Sequence, residues 1–322
     1  MFVWINRIIK AQRVASKQKF LPMGSLLSAA IVWGLIWYPY RVLDHAGVSG
    51  EVATFLTYFI ALIFGLLLPG KIWHELRMAG WWGVALTLCA GWTNLGYVLA
   101  VLGGEVMRVL LLFYLAPLWT VFFSRWLLGE KLDRYGYAVI VLSLGGAMVM
   151  LWQPGLGLPV PQNMAEWMGL SAGIGFAMTN VLARRIQHLS VNFKSASVWF
   201  GTSLLTAFVL LYRGGFTSQV QGIAPAMWWL VLLVALVLCA TSITAQYGLT
   251  NLPANQSIVL FMLELAVAAV ASYFLAGEQM GAREIVGATL IVAATLLSGK
   301  MYEQSEKFLN NESESGAERH GH

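Results

Sequence analysis

The chain is predicted to be an all-α polytopic membrane protein, with ten transmembrane helices arranged as two inverted five-helix repeats. Three observations predict this. Of its 322 residues 58% are apolar and 11% charged, and the mean hydropathy is +0.70. A soluble domain with that composition could not solvate its surface. The apolar residues fall into ten continuous runs of about membrane-spanning length. Finally, one half of the chain repeats the helix pattern of the other.

Crossing a hydrocarbon core of about 30 Å takes about 20 apolar residues per helix. The ten runs are residues 22–42, 51–69, 80–102, 107–127, 134–152, 165–185, 195–212, 225–250, 255–275 and 281–300. They are continuous rather than alternating, which excludes a β-barrel. Residues 1–21 carry Arg7, Lys10, Arg13, Lys17 and Lys19 and no small-residue cleavage site, so they are expected to form a basic arm rather than a signal peptide. Residues 22–152 form the first five-helix repeat, 153–164 a linker, 165–300 the second repeat and 301–322 a Glu-rich tail expected to be disordered.

The repeat is visible at a shift of 148 residues, which lays Asn94–Gly129 over Ser242–Gly277 without a gap. Each segment is a helix, a short Gly/Asn/Pro break and a second helix, closed by Leu128-Gly129-Glu130 or Ala276-Gly277-Glu278. Such repeats mark transporters built from two halves. With the N-terminus inside, sixteen of the 20 Lys and Arg residues fall on the inner side, and only Arg41, Arg108, Arg213 and Arg283 outside. Basic residues concentrate in cytoplasmic loops, so both termini are expected to be cytoplasmic in a multi-pass protein of the plasma (inner) membrane. Five is an odd number, so the two halves are inverted relative to one another.

With topology and repeat in hand, the sequence resembles the drug/metabolite transporter superfamily, in particular its EamA-type ten-helix members. The resemblance rests on Trp33-Gly34 with Arg41, on Leu115-Ala116-Pro117 through Gly129-Glu130, on Asn180 to Arg184, and on Glu264 through Gly277-Glu278. It implies a ten-helix bundle with a central cavity lined by helices 1, 3, 4, 6, 8 and 9. It also implies export of amino acids or similar metabolites, often against a proton gradient. The family commonly has Glu-Pro in the ninth helix, where this chain has Glu264-Leu265. A proline frees a backbone carbonyl and bends its helix, so Pro117 is a candidate hinge and a matching kink in the ninth helix is in doubt.

Glu264 is the sharpest candidate. It stands about ten residues into the ninth run, where a carboxylate costs about 3 kcal/mol or more to insert. It could exchange a proton, pair with a substrate ammonium, or hydrogen-bond a neighbouring helix. Ser257, Phe261, Glu264 and Ala268 share a helical face. Asn94, Tyr97, Asn180 and Gln246 are uncharged polar groups within spans. They serve either substrate contact or interhelical hydrogen bonding. Trp33 is too deep for the interfacial belt, and Trp37 and Tyr114 are further aromatic candidates. The substrate-binding set is thus Trp33, Asn94, Tyr97, Tyr114, Asn180, Phe261 and Glu264. Glu105 and Arg108 are expected to form an exposed pair at the outer mouth, and Gly169 and Gly173 to permit close helix approach.

Both aspartates and all five histidines lie in loops or the tail, and no HExxH, phosphate loop or paired intramembrane carboxylates occur. A membrane enzyme is therefore disfavoured, as is a channel with a charged selectivity ring. Cys89 and Cys239 lie within spans and read as packing residues. No metal, cofactor or nucleic-acid partner is expected. The expected partners are a small-molecule substrate and the bilayer, and a monomer suffices because both halves are in one chain. One midplane acid without a midplane base suits zwitterionic or cationic solutes, with lipophilic-cation efflux as the second reading; a non-transporting scaffold is the rival outside transport.

Overall fold

The computed structural model describes residues 2–67, 72–152, 160–277 and 279–319, with side-chain surroundings described from residue 20 to residue 301 except Trp73. Within these residues the helices are α1 (Phe2–His45), α2 (Gly50–Leu67), α3 (Ile72–Gly103), α4 (Val106–Leu128) and α5 (Arg134–Leu151). The second half supplies α6 (Met164–Arg185), α7 (Val191–Arg213), α8 (Pro225–Asn251), α9 (Ala254–Ala276) and α10 (Ala282–Arg319). A short helix, Phe216–Gly222, fills the turn between α7 and α8. Glu278 and linker residues 153–159 lie outside the described set.

Nine described helices are long and apolar enough to cross a membrane. The tenth, α6, is less apolar for a physical reason. It packs against α3, α4, α8 and α9, so its surface meets protein rather than lipid and is made of small and polar residues such as Gly169, Gly173, Thr179 and Asn180. Gly173 makes the fit possible. A Cβ there would stand 2.4 Å from the backbone oxygen of Phe113 in α4.

The packing obeys the repeat. Exchanging each helix with the one five places on maps α3 against α6 onto α8 against α1, and α3 against α7 onto α8 against α2. It also maps α4 against α6 onto α9 against α1, while α2–α7, α4–α9 and α5–α10 map onto themselves. Each helix therefore finds its main partners in the other half, and the apolar core is shared rather than divided into two domains.

The helices depart from regularity at equivalent places. The backbone of α4 breaks at Tyr114 and Leu115, where ψ rises to 8° and −2°. That of α9 tightens at Met262 (φ −58°, ψ −21°), 148 residues later. The doubted kink is thus present without a proline, although milder. Pro117 sits in the first turn of the resumed helix, where its missing N–H costs nothing. Both helices end in a widened turn, Ser124–Leu128 and Ser272–Ala276. Both are closed by a left-handed glycine, Gly129 at φ 70° and Gly277 at φ 68°.

Three boundaries differ from expectation. A break at Gly80 (φ 52°, ψ −143°) makes Ile72–Ala79 a separate helical piece ahead of the apolar part of α3. The seventh helix begins at Val191 instead of residue 195, which places Lys194 inside it. The backbone of the Glu-rich tail continues α10 to Arg319.

Because consecutive helices alternate in direction, the turns α2–α3, α4–α5, α6–α7 and α8–α9 share the face on which α1 begins. We refer to it as the N-terminal face, and to the other as the opposite face.

Candidate functional site

Glu264 stands ten residues along α9, about 15 Å from the N-terminal face at 1.5 Å per residue. It is two residues beyond the break at Met262. The Tyr114 side chain, at the matching break of α4, lies within hydrogen-bonding reach of the Glu264 carboxyl group. Two irregular backbones from opposite halves thus present an acid and a phenol to each other in the middle of the bundle. The hydroxyls of Tyr97 on α3 and Tyr58 on α2 lie within electrostatic reach of the same carboxyl group. Although deep in its helix, Glu264 remains only half-buried, whereas Ser257 and Phe261 on the preceding segment are fully buried. The break therefore divides the face shared by Ser257, Phe261, Glu264 and Ala268 into a packed lower half and a more open upper half.

An aromatic chain extends from this pair. Tyr97 meets Phe113 edge-on at 5.2 Å between centroids, and Phe113 meets Tyr114 at 5.3 Å. Phe113 stacks on Phe176 of α6 at 5.6 Å, and Phe176 meets Phe261 of α9 at 5.4 Å. Phe113, Phe176 and Tyr58 were not singled out from the sequence. Phe113 could have been found as the neighbour of Tyr114 at the break. Phe176 and Tyr58 carry no local signal, since an aromatic in an apolar helix is ordinarily lipid- or core-facing.

The structure separates the other candidates. Asn94 is engaged between helices: it accepts from Tyr58 at 2.7 Å, and its amide donates to Ala90 O at 2.9 Å and to Thr202 Oγ1 of α7 at 3.3 Å. It ties α2, α3 and α7 together and positions Tyr58. Trp33 packs half-buried beside the core of α1, α3, α6, α8 and α9, its indole N–H buried without a protein partner. Trp37 carries Arg41 over its ring at 5.9 Å, nearer the opposite face. Asn180 is fully buried and neither side-chain polar atom has a protein partner; it stands five residues from the end of α6, closer to the N-terminal face than Glu264. Gln246 on α8 is also buried. A groove of about 320 Å³ between α3 and α6, lined by Leu88, Cys89, Trp92, Ser171, Ile174, Gly175 and Met178, contains none of the predicted site residues.

Charged groups gather at both faces. At the opposite face Arg108 is not the exposed partner of a turn. Its Nε lies 2.8 Å from Glu166 Oε1 of α6, and Nη2 donates to Val160 O at 2.9 Å, with both side chains nearly buried. Arg213 of α7 pairs there with Glu51 of α2. At the N-terminal face the Glu130 carboxylate accepts from Ala254 N at 3.0 Å and from Asn255 Nδ2 at 3.0 Å. Burial pushes the Glu130 carboxyl group above its ordinary range, while those N–H donors and Arg184 act in the other direction. Among the described residues no cluster of His, Cys, Asp and Glu is arranged to hold a metal ion.

The sequence pattern of the EamA-like transporter family matches this chain twice, over residues 22–152 and 163–299. The chain belongs to the EamA-like transporter family. The two matched copies coincide with the two halves of the bundle, and the protein is a multi-pass membrane transporter. It is 23% identical over 209 residues to an uncharacterized transporter of Archaeoglobus fulgidus, covering 64% of this chain and 72% of that one. It also superposes on a solved protein crystal structure with a TM-score of 0.65 at 17% identity, covering 87% of this chain and 99% of the other. That likeness concerns the fold. Each EamA-like copy contains one of the left-handed glycines, so Gly129 and Gly277 occupy equivalent places in the two copies.

Proposed function

We propose that this EamA-like protein is a secondary transporter of the plasma (inner) membrane that exports small metabolites, namely zwitterionic amino acids or related amphipathic compounds, by alternating access. The observation that supports this reading is the meeting of Glu264 and Tyr114 at the equivalent backbone breaks of α9 and α4. A carboxylate in mid-membrane is costly and tends to be retained where it works. Here it stands between two halves whose packing is symmetric, the arrangement in which rocking exposes one site to either side.

In the proposed cycle Glu264 alternates between a proton and the substrate ammonium, with Tyr114 hydrogen-bonding the carboxyl group in both states. A proton from outside displaces the solute, and the halves rock back to expose the site inwards. Asn180 and Trp33, whose buried polar atoms lack protein partners, are further contacts for the solute's polar groups. Both termini lie on the cytoplasmic side, following the sixteen-to-four division of basic residues. The aromatic chain from Tyr97 to Phe261 favours one second reading, efflux of lipophilic cations, because ring faces attract organic cations.

Uptake of a mixed metabolite pool into proteoliposomes, read by mass spectrometry with and without an imposed pH gradient, tests both readings. Gradient-dependent amino acid accumulation that is lost in Glu264→Gln is the expected result. Transport by Glu264→Gln with unchanged rate and pH dependence would overturn the exchange mechanism. Accumulation of lipophilic cations alone would select the second reading.

A further inference from the structure

The glutamate of the repeated Gly-Glu motif is not part of the central site, yet it makes a contact that joins the halves. Glu130 follows the left-handed Gly129 at the end of α4, in the first half. Its carboxylate receives the backbone N–H of Ala254 and the side-chain amide of Asn255, which open α9 in the second half. Asn255 also donates to Ser124 Oγ of α4 at 2.8 Å. The first N–H groups of a helix have no partner within it, and the helix dipole favours an anion there. A second carboxylate repeats the device: Glu75, on the separate piece preceding α3, accepts from Ser190 N at 3.1 Å and Ser190 Oγ at 2.6 Å, at the start of α7.

The other side of the α8–α9 turn is held by cations. Arg184 of α6 donates to Thr250 O at 2.5 Å. Lys194 of α7 donates to Thr250 Oγ1 at 2.6 Å and is fully buried, with Glu75 within electrostatic reach. The C-terminal carbonyls of α8 complement these charges as the N-terminal amides of α9 complement Glu130. The turn is therefore gripped from both ends by charges that match the two dipoles.

Directly behind this grip are buried polar groups that a static apolar seal would not need. Asn180, Gln256 and Ser257 are all at least nine-tenths buried, and their side-chain polar atoms have no protein partner. Ala177 packs in one cluster with Ile258 and Val259. Since α6 descends towards the N-terminal face while α9 rises from it, Asn180 stands level with Asn255 and Gln256. These groups mark a polar strip leading from the Glu130 contact towards Glu264.

Resting on the alternating-access reading, we propose that Glu130 is the latch of a gate at the N-terminal face, closed when it caps α9 and opened when the end of α4 withdraws, with Lys194 holding the α8–α9 turn in the position that receives it. Water can replace the carboxylate at the freed amides, which makes the contact reversible. The polar strip then becomes the passage between the face and the central site.

The test uses the full chain with Cys89 and Cys239 replaced by alanine and a reporter, Ser257→Cys, on the strip. A membrane-impermeant thiol reagent is applied to one side at a time in proteoliposomes of known orientation. Glu130→Gln is expected to speed labelling from the N-terminal side at least tenfold and leave the other side unchanged, because the glutamine NH₂ turns one acceptor into a donor facing donors. Lys194→Met, of similar length and uncharged, is expected to act in the same direction. Each variant is first confirmed as folded by a monodisperse elution profile. Labelling unchanged in both variants, or raised equally from both sides, overturns the latch while leaving alternating access intact. A reporter that no reagent reaches from either side in any background overturns the latch, because the strip is then not the passage, and leaves alternating access to the uptake assay.

Discussion

Gly34 of α1 lies directly against the backbone of Glu264. A Cβ on Gly34 would stand 2.7 Å from the Glu264 carbonyl oxygen and 2.8 Å from Cβ of Val267. The Trp33-Gly34 step therefore fixes how closely α1 can approach the acid-bearing segment. Gly173 plays the same part between α6 and the break of α4.

Gly34→Ala is accordingly expected to push α1 away from α9. The clash involves backbone and a β-branched side chain, neither of which can yield cheaply, and overpacking typically costs about 1–3 kcal/mol. A lowered thermal midpoint in detergent together with impaired transport is the expected pair of results. A variant as stable and active as the parent would mean that the two helices do not meet at this point.

Tyr114→Phe keeps the ring against Phe113 and removes only the hydroxyl that serves Glu264. Hydrogen bonds to charged groups contribute about 1.5–3 kcal/mol, so transport is expected to fall roughly tenfold or more, with an altered pH profile and unchanged expression. Initial rates across a pH series would check this, and an unaltered profile would detach Tyr114 from the acid's chemistry.

The Arg108–Glu166 pair pins the start of α4 to the start of α6. Removing one partner of a buried pair costs about 3–5 kcal/mol. Glu166→Ala is expected at the lower end, about 3 kcal/mol, because the pair lies near the membrane edge. Thermal unfolding of Glu166→Ala, Arg108→Ala and the double variant should show the double variant losing less than the sum of the singles. Strict additivity would mean that the two charges are not coupled.

Gly129 and Gly277 occupy the same left-handed cap in the two halves. An alanine there costs about 1–2 kcal/mol. Gly129→Ala and Gly277→Ala are expected to destabilise by similar amounts. In Gly129→Ala, transport should suffer more, since the latch residue follows it directly. Comparing melting with initial transport rates for the two variants decides the point.

The Asn94 amide shows why the sites were only partly legible. Its polarity in an apolar run marks it, but substrate contact and interhelical bonding leave the same trace in sequence. The partners Tyr58 and Thr202, 36 and 108 residues away, settle which it makes in this conformation. Arg108 was read with its neighbour in the chain, Glu105, whereas its ion-pair partner, Glu166, is 58 residues further on. Lys194 was counted as a loop cation, because an apolar window cannot register a charge that folding buries against Thr250.

What the sequence determined by itself was set by the solvent and the period: the helical spans apart from three boundaries, their number, the repeat, and the depth of Glu264. Hydrocarbon obliges each segment to satisfy its own backbone, so these properties are local and can be read along the chain. The tertiary structure decided which polar groups meet. Tyr114 faces Glu264, Glu130 caps α9, and Gly34 meets a carbonyl only because ten helices pack in one particular register. Those contacts join residues more than a hundred positions apart, and no periodicity within a single helix encodes them.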